Sequence, residues 1–140
     1  LKAGTFDLAV FNPPYRKMGS GRVNSGTGKA LARHEIAGSV ADFLGAASRA
    51  LKAGGRVCLI YPCSRMVEAV HRMREKGLEP KALRMVHSKP GSRGDFILVE
   101  GLKGGGEELK VLPPLFIYKE GGDYSDELAV LFRGLSAREG

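Results

Sequence analysis

An apolar run from Thr5 to Phe11 is stopped by Asn12-Pro13-Pro14-Tyr15, and that junction constrains the fold more than any other stretch. Phe6, Leu8, Ala9, Val10 and Phe11 suit a short buried strand. Successive prolines neither donate to a sheet ladder nor continue a helix, so the strand must end there. A polar amide, two stiff residues and an aromatic are thereby presented at a strand's C-terminal end, where open α/β sheets take their ligands.

Arg16 to Arg33 follows, with Gly19, Gly21, Gly26 and Gly28 among the cations Arg16, Lys17, Arg22, Lys29 and Arg33. A connection of that length without structure of its own reads as a mobile, functional loop. Two phosphate-binding patterns fail within it. Gly19-Ser20-Gly21-Arg22-Val23-Asn24 lacks the last glycine of a dinucleotide fingerprint, and Gly28-Lys29 has Val23 where a phosphate loop needs its first glycine.

Ile36, Val40, Phe43, Leu44, Ala47 and Leu51 recur at helical spacing, and Gly54-Gly55 supplies a left-handed stop. Arg56 to Tyr61 is a nearly continuous apolar run suited to a buried parallel strand, ended by Pro62. Ser64 is placed to cap a second helix carrying Met66, Val67, Val70 and Met73 and closed at Gly77; His71 falls on its surface. From Pro80 the period becomes alternating, with Leu83, Met85 and His87 on one face and Arg84, Val86 and Ser88 on the other. Phe96 to Val99 reads as the hairpin partner across the turn Pro90-Gly91-Ser92-Arg93-Gly94. Leu109 to Leu112 suits a short edge strand, and Leu115 to Tyr118 is a further apolar run. Ser125-Asp126-Glu127 caps a last helix with Leu128, Val130, Leu131 and Phe132, stopping at Gly134. The order is α/β, closing on an antiparallel pair.

No internal repeat or long hydrophilic linker divides the chain, so residues 1–140 read as part of one domain. No run of eighteen apolar residues suits a membrane span, and a cytoplasmic location is the expectation. Cys58 and Cys63 lack the spacing of a zinc or redox pair and read as reduced thiols in or near the core, and no metal is expected. The net charge of +7 and pI near 9.6 suit a polyanionic partner, of which nucleic acid is the commonest.

The Asn12-Pro13-Pro14-Tyr15 junction resembles the class I methyltransferases that use S-adenosylmethionine, in the amino-methylating group whose fourth strand ends in Asn/Asp-Pro-Pro-aromatic. Further motifs resemble the tRNA-valine adenine N6-methyltransferase family: Leu31-Ala32-Arg33-His34-Glu35-Ile36, Leu51-Lys52-Ala53-Gly54-Gly55-Arg56, Gly77-Leu78-Glu79-Pro80-Lys81, Ile97-Leu98-Val99-Glu100-Gly101 and Leu112-Pro113-Pro114-Leu115. The resemblance runs over nearly the whole chain. It implies the C-terminal half of a Rossmann-like class I methyltransferase sheet, from strand 4 onward, ending in an antiparallel β-hairpin. It implies S-adenosylmethionine as cofactor of the full-length enzyme and tRNA as partner. Asn12 and Pro13 would accept the two hydrogens of the target amine, Pro14 would hold the turn and Tyr15 would stack on the base. A delocalised amine is a poor nucleophile, and two fixed acceptors aim its lone pair at the methyl group. Arg16, Lys17, Arg33, Lys89 and Arg93 are candidates for the RNA phosphates. Arg33-His34-Glu35 equally suits a helix start that orders the loop.

Protein glutamine N5-methyltransferases share Asn-Pro-Pro-Tyr, with the amine replaced by a side-chain amide. A non-catalytic RNA-binding remnant is a third reading. The glycine-rich loop and acidic ribose-binding residue of the family's first two strands have no match here. The cofactor-binding N-terminal half is therefore expected to be absent from residues 1–140, and the fragment inactive by itself. A sheet that starts at its fourth strand exposes an edge, which predicts a homodimer through that edge.

Overall fold

A computed structural model describes residues 3–13 and 39–139. Pro14, Tyr15, Arg16, Lys17 and Arg33, with the rest of the glycine-rich stretch and Ile36, lie outside the described residues, as does the side chain of Phe132.

The chain gives β1 (Phe6–Phe11), α1 (Val40–Ala50), β2 (Leu51–Pro62), a 3₁₀ turn (Cys63–Arg65), α2 (Met66–Glu75), β3 (Leu78–His87), β4 (Gly94–Lys103), β5 (Lys110–Val111), β6 (Leu115–Phe116) and α3 (Asp126–Glu139). The strands form one mixed sheet in the order β1-β2-β4-β3-β5, with β6 also on β3. β1 and β2 are parallel, joined across α1, whereas β4 runs antiparallel to both of its neighbours, β2 and β3. This is the mixed α/β sheet with an antiparallel hairpin that the order of sequence patterns implies.

α1 and α2 cover one face. Leu44 of α1, Met73 of α2, and Leu51, Val57, Leu59, Leu78 and Ile97 of the sheet are at most 1% exposed and make the core between them. Each such side chain contributes about 1.5 to 3 kcal/mol on burial. Gly101 of β4 lets the layers close: a Cβ there would stand 2.5 Å from the Met73 Cε and 3.1 Å from the Val57 Cγ1.

Local chemistry shifts several boundaries from their expected places. α1 opens on Ser39, whose Oγ accepts from the Asp42 N–H at 3.2 Å while Asp42 Oδ2 accepts from the Ser39 N–H at 3.1 Å. This reciprocal capping box fixes the helix start. The helix ends at Ala50 rather than at Gly54-Gly55, because Leu51 is drawn into the core in extended conformation and pairs with Phe6. Gly54, at φ +83°, instead lies in a register irregularity of β2. Gly55 is required there because a Cβ would meet the Lys52 and Phe6 carbonyl oxygens at 2.9 and 3.1 Å.

Ser64 does not cap α2. It lies in the 3₁₀ turn, Arg65 occupies the cap position, and no side chain bonds there. Ala69 and Met73 face the core, while Val67, expected on the apolar face, is 79% exposed. Gly77 closes the helix as expected, at φ +78°. In α3, Ser125 Oγ accepts from the Leu128 N–H at 3.2 Å, the predicted cap. That helix passes through Gly134 to Glu139, since Gly134 does not adopt the left-handed conformation a stop would require.

The sheet's other face is more open. Phe6, Leu8 and Val10 of β1 are 41%, 54% and 63% exposed, and among the described residues β1 pairs only with β2.

Candidate active site at the C-terminal end of the sheet

Register brings the chemistry-bearing segments to one end. Phe11, the last residue of β1, is level with Leu59, three residues before the end of β2 at Pro62, so the two parallel strands close toward the same end. Pro62 of β2 faces Phe96 of β4, and His87 of β3 faces Gly94, which places the β3–β4 turn at that same end. Asn12-Pro13, the Cys63–Arg65 turn and the Ser88–Arg93 turn therefore share one rim.

At the first of these, Asn12 is exposed and Pro13 buried. Phe11, just before, stacks on Phe43 of α1 with ring centroids 5.8 Å apart. The proline and the aromatic pair anchor the strand end and leave the Asn12 amide turned to solvent.

Behind it, Tyr61 is buried at the end of β2, 2% exposed. Its hydroxyl donates to Glu68 Oε1 at 3.0 Å, and Arg65 Nη2 donates to both oxygens of the same carboxylate at 3.2 and 2.8 Å. The Arg65 guanidinium also lies 5.9 Å from the Tyr61 ring centroid. Burial first, and then the bond to Glu68, push the Tyr61 phenol up to about 12. The Arg65 hydrogen bond first holds the Glu68 carboxyl below the usual carboxylate range. The phenol thus stays neutral and the carboxylate charged at ordinary pH, and the three groups tie the turn after β2 to α2. Sequence reasoning missed this triad because it gave Ser64 the cap; the signal was Tyr61 and Glu68 facing one another across a turn.

The β3–β4 turn is held as firmly. His87 Nδ1 donates to the Ser92 carbonyl at 2.7 Å, and its ring packs on Phe116 at 5.5 Å. Ser92 Oγ donates to the Lys89 carbonyl at 2.6 Å and accepts from the Lys89 N–H at 3.2 Å. Lys89 and Arg93, both on this braced loop, are exposed. Gly94 is packed beneath: a Cβ there would meet Cys63 Sγ at 2.9 Å.

Burial raises the pKa of both Cys58 and Cys63, helped by Glu100 and Asp95 respectively, so both remain free thiols. Among the described residues no three His, Cys, Asp or Glu side chains converge as metal ligands. An open depression of about 500 Å³ lies on the face away from the helices, lined by Asp7, Lys52, Arg56, Cys58 and Glu100. It adjoins the start of β1, not Asn12, and its charges are of both signs. No described helix is long and apolar enough to cross a membrane.

The fold is that of a Rossmann-like methyltransferase. A predicted O-methyltransferase of Agrobacterium tumefaciens superposes with a TM-score of 0.69 at 19% identity, over 94% of this chain and 53% of that one. A candidate DNA modification methylase of Thermus thermophilus superposes at 0.50 with 16% identity, over 77% of this chain and 50% of that one. The Thermus protein has also been solved in complex with S-adenosyl-L-methionine, in which form the TM-score is 0.48 at 16% identity, over 77% of this chain and 52% of that one. The chain spans about half the length of these structures. At such identities the likeness is one of fold. No protein-family model matches the sequence, and no curated protein matches it.

Proposed function

We propose that this chain is the substrate-side half of an S-adenosylmethionine-dependent methyltransferase that acts on an adenine N6 amine of tRNA. One observation carries the reading: Asn12 stands exposed on a buried Pro13 at the end of β1, on the rim that also carries Lys89 and Arg93.

In this reading the Asn12 side-chain oxygen and the Pro13 carbonyl accept the two amine hydrogens and fix the nitrogen's approach. The adenine proton leaves to solvent after transfer, so no general base is needed beside the amine. Pro14 and Tyr15, outside the described residues, would stiffen the turn and stack on the base. Lys89 and Arg93, with Arg16, Lys17 and Arg33, would hold the RNA backbone, and a cytoplasmic location is proposed with that substrate.

S-adenosylmethionine would supply the methyl group. The described residues fit the target side of such a site and not a complete cradle for the cofactor. Among them no glycine-rich turn joins a strand to a helix with an acidic strand end beside it. This chain by itself is therefore proposed to transfer no methyl group, and the exposed β1 edge to pair with another chain, a second copy included.

The test is methyl transfer by a longer protein that carries this segment, with tRNA and with a peptide-release factor as alternative acceptors. Label in tRNA, lost on Asn12→Ala by about a hundredfold or more with little change in RNA affinity, is the expected result. Label in the release factor alone would replace the amine with a glutamine amide. Salt-sensitive RNA binding untouched by Asn12→Ala, without any transfer, would leave only an RNA-binding remnant.

A further inference from the structure

Beyond the turn that carries Lys89, the rim continues into a second hairpin. Ile117 N–H donates to the His87 carbonyl at 3.0 Å and Tyr118 N–H to the Ser88 carbonyl at 2.7 Å, which hooks the segment onto the end of β3. The chain then reverses through Lys119 to Asp123. Lys119 N–H donates to the Asp123 carbonyl at 2.8 Å and Gly122 N–H to the Lys119 carbonyl at 3.0 Å, and both Gly121 and Gly122 have positive φ. Tyr118 and Tyr124 face each other across the resulting antiparallel bridge.

Their rings lie 5.6 Å apart and only 11° from parallel, yet the residues are 41% and 51% exposed. A cross-strand aromatic pair braces a hairpin, and this one does so at the surface. Its backbone neighbour, Ser88, directly precedes Lys89, so the stack and the two cations of the β3–β4 turn belong to one surface.

We infer that the Tyr118–Tyr124 stack is a platform for an unpaired nucleobase next to the one being modified. The inference rests on the proposed RNA substrate and adds to it a second contact, distinct from the target pocket. A base has a π face of its own and extends an offset stack of parallel rings without sequence preference. The charges around the stack set which part of the bound strand lies over it. Glu120 and Asp123 are exposed at the hairpin tip, and Lys119 is engaged with Asp126 at 3.2 Å. Phosphates are repelled there and drawn toward Lys89 and Arg93, which leaves the uncharged base over the tyrosines.

The chain contains no tryptophan, so a short single-stranded RNA bearing 2-aminopurine reports stacking without competing protein emission. Binding of this probe to the chain at low salt should quench its emission. Tyr118→Ala and Tyr124→Leu should each weaken binding by about fivefold or more and reduce the quenching, while Tyr118→Phe and Tyr124→Phe should stay within about twofold. Tyr124→Leu keeps apolar bulk and removes the ring, Tyr124→Phe separates the ring from the hydroxyl, and circular dichroism of each variant verifies that the hairpin and sheet persist. An RNA abasic at the probe position should bind wild type and Tyr124→Leu alike. Equal quenching and affinity across the variants would overturn the platform, and so would failure of wild type to bind the probe. Either outcome is separate from the methyl-transfer assay: absence of transfer with Tyr-dependent quenching would remove the catalytic reading and keep the platform.

Discussion

Removing one oxygen from Tyr61 tests the triad that secures the rim. Tyr61→Phe keeps the ring in its buried site and removes the 3.0 Å bond to Glu68. Hydrogen bonds to a charged partner contribute about 1.5 to 3 kcal/mol. Here the Glu68 side chain is 36% exposed and keeps Arg65, so water replaces part of what is lost and the cost should fall to about 1 to 1.5 kcal/mol. For a chain of this size that is a drop of about 3 to 5 °C in Tm.

The alkaline limb gives an independent check. The unfolded phenol titrates near 10 and the folded one at about 12. The folded state therefore binds the proton more tightly. Stability that depends on the neutral phenol is fully present below about pH 10 and is lost as pH rises toward 12, at up to about 1.4 kcal/mol per unit. Phenylalanine has nothing to ionise, so the gap between variant and wild type should close near pH 11. Urea unfolding followed by circular dichroism at about pH 8, 10 and 11 measures it. Equal midpoints at pH 8, or a gap that stays constant to pH 11, would refute the reasoning.

Gly101→Val should destabilise the fold by about 2 to 3 kcal/mol in urea titrations, because its side chain would have to displace Met73 and Val57 from a packed layer. Gly101→Ala should cost less, since the Met73 methyl group is the flexible end of its chain. Ser39→Ala removes the acceptor of the α1 capping box and should lower stability by about 1 kcal/mol, with the loss reduced in an Asp42→Ala background where the box is already broken. Replacing Lys89 and Arg93 together by alanine should flatten the plot of log RNA affinity against log salt by about 1 to 2 units of slope; an unchanged slope would remove both from the interface.

What was legible in the sequence had a strong local cause. The prolines end β1 where the sequence says they must, the apolar run of β2 is buried, and the alternation from Leu83 to Ser88 marks a strand with its hairpin partner. Ser125 and Gly77 act as punctuation because nothing competes with them. The misreadings share one origin: a tertiary demand outranks a local signal. Leu51 belongs equally to the helical period and to the core, and burial takes it into β2, so the glycine pair becomes a kink within a strand instead of a stop. Ser64 is a good cap by type, but the triad around Glu68 pulls the chain through a 3₁₀ turn first. Gly134 is a stop only if the chain turns left-handed, and it does not. At the rim, Asn12 and the two cations of the turn were visible as residue types. The Tyr118–Tyr124 stack was not, since the two residues meet only through a bridge that residue spacing alone does not reveal.

The position of β4 governs the order in which this molecule can be assembled. It is made after β3 but sits between β2 and β3, so it cannot be added to the outside of a growing sheet. While a ribosome is still short of Lys103, β2 lacks one of its neighbours and the Val57, Leu59 and Tyr61 side chains have no Ile97 or Val99 to close against. The hairpin of β3 and β4 contains only local pairings and can form first, then dock onto β2 as a unit. Synthesis of this segment should thus yield no stable intermediate made of β1, α1 and β2 alone. Protection from protease would arise in one step once β4 has emerged.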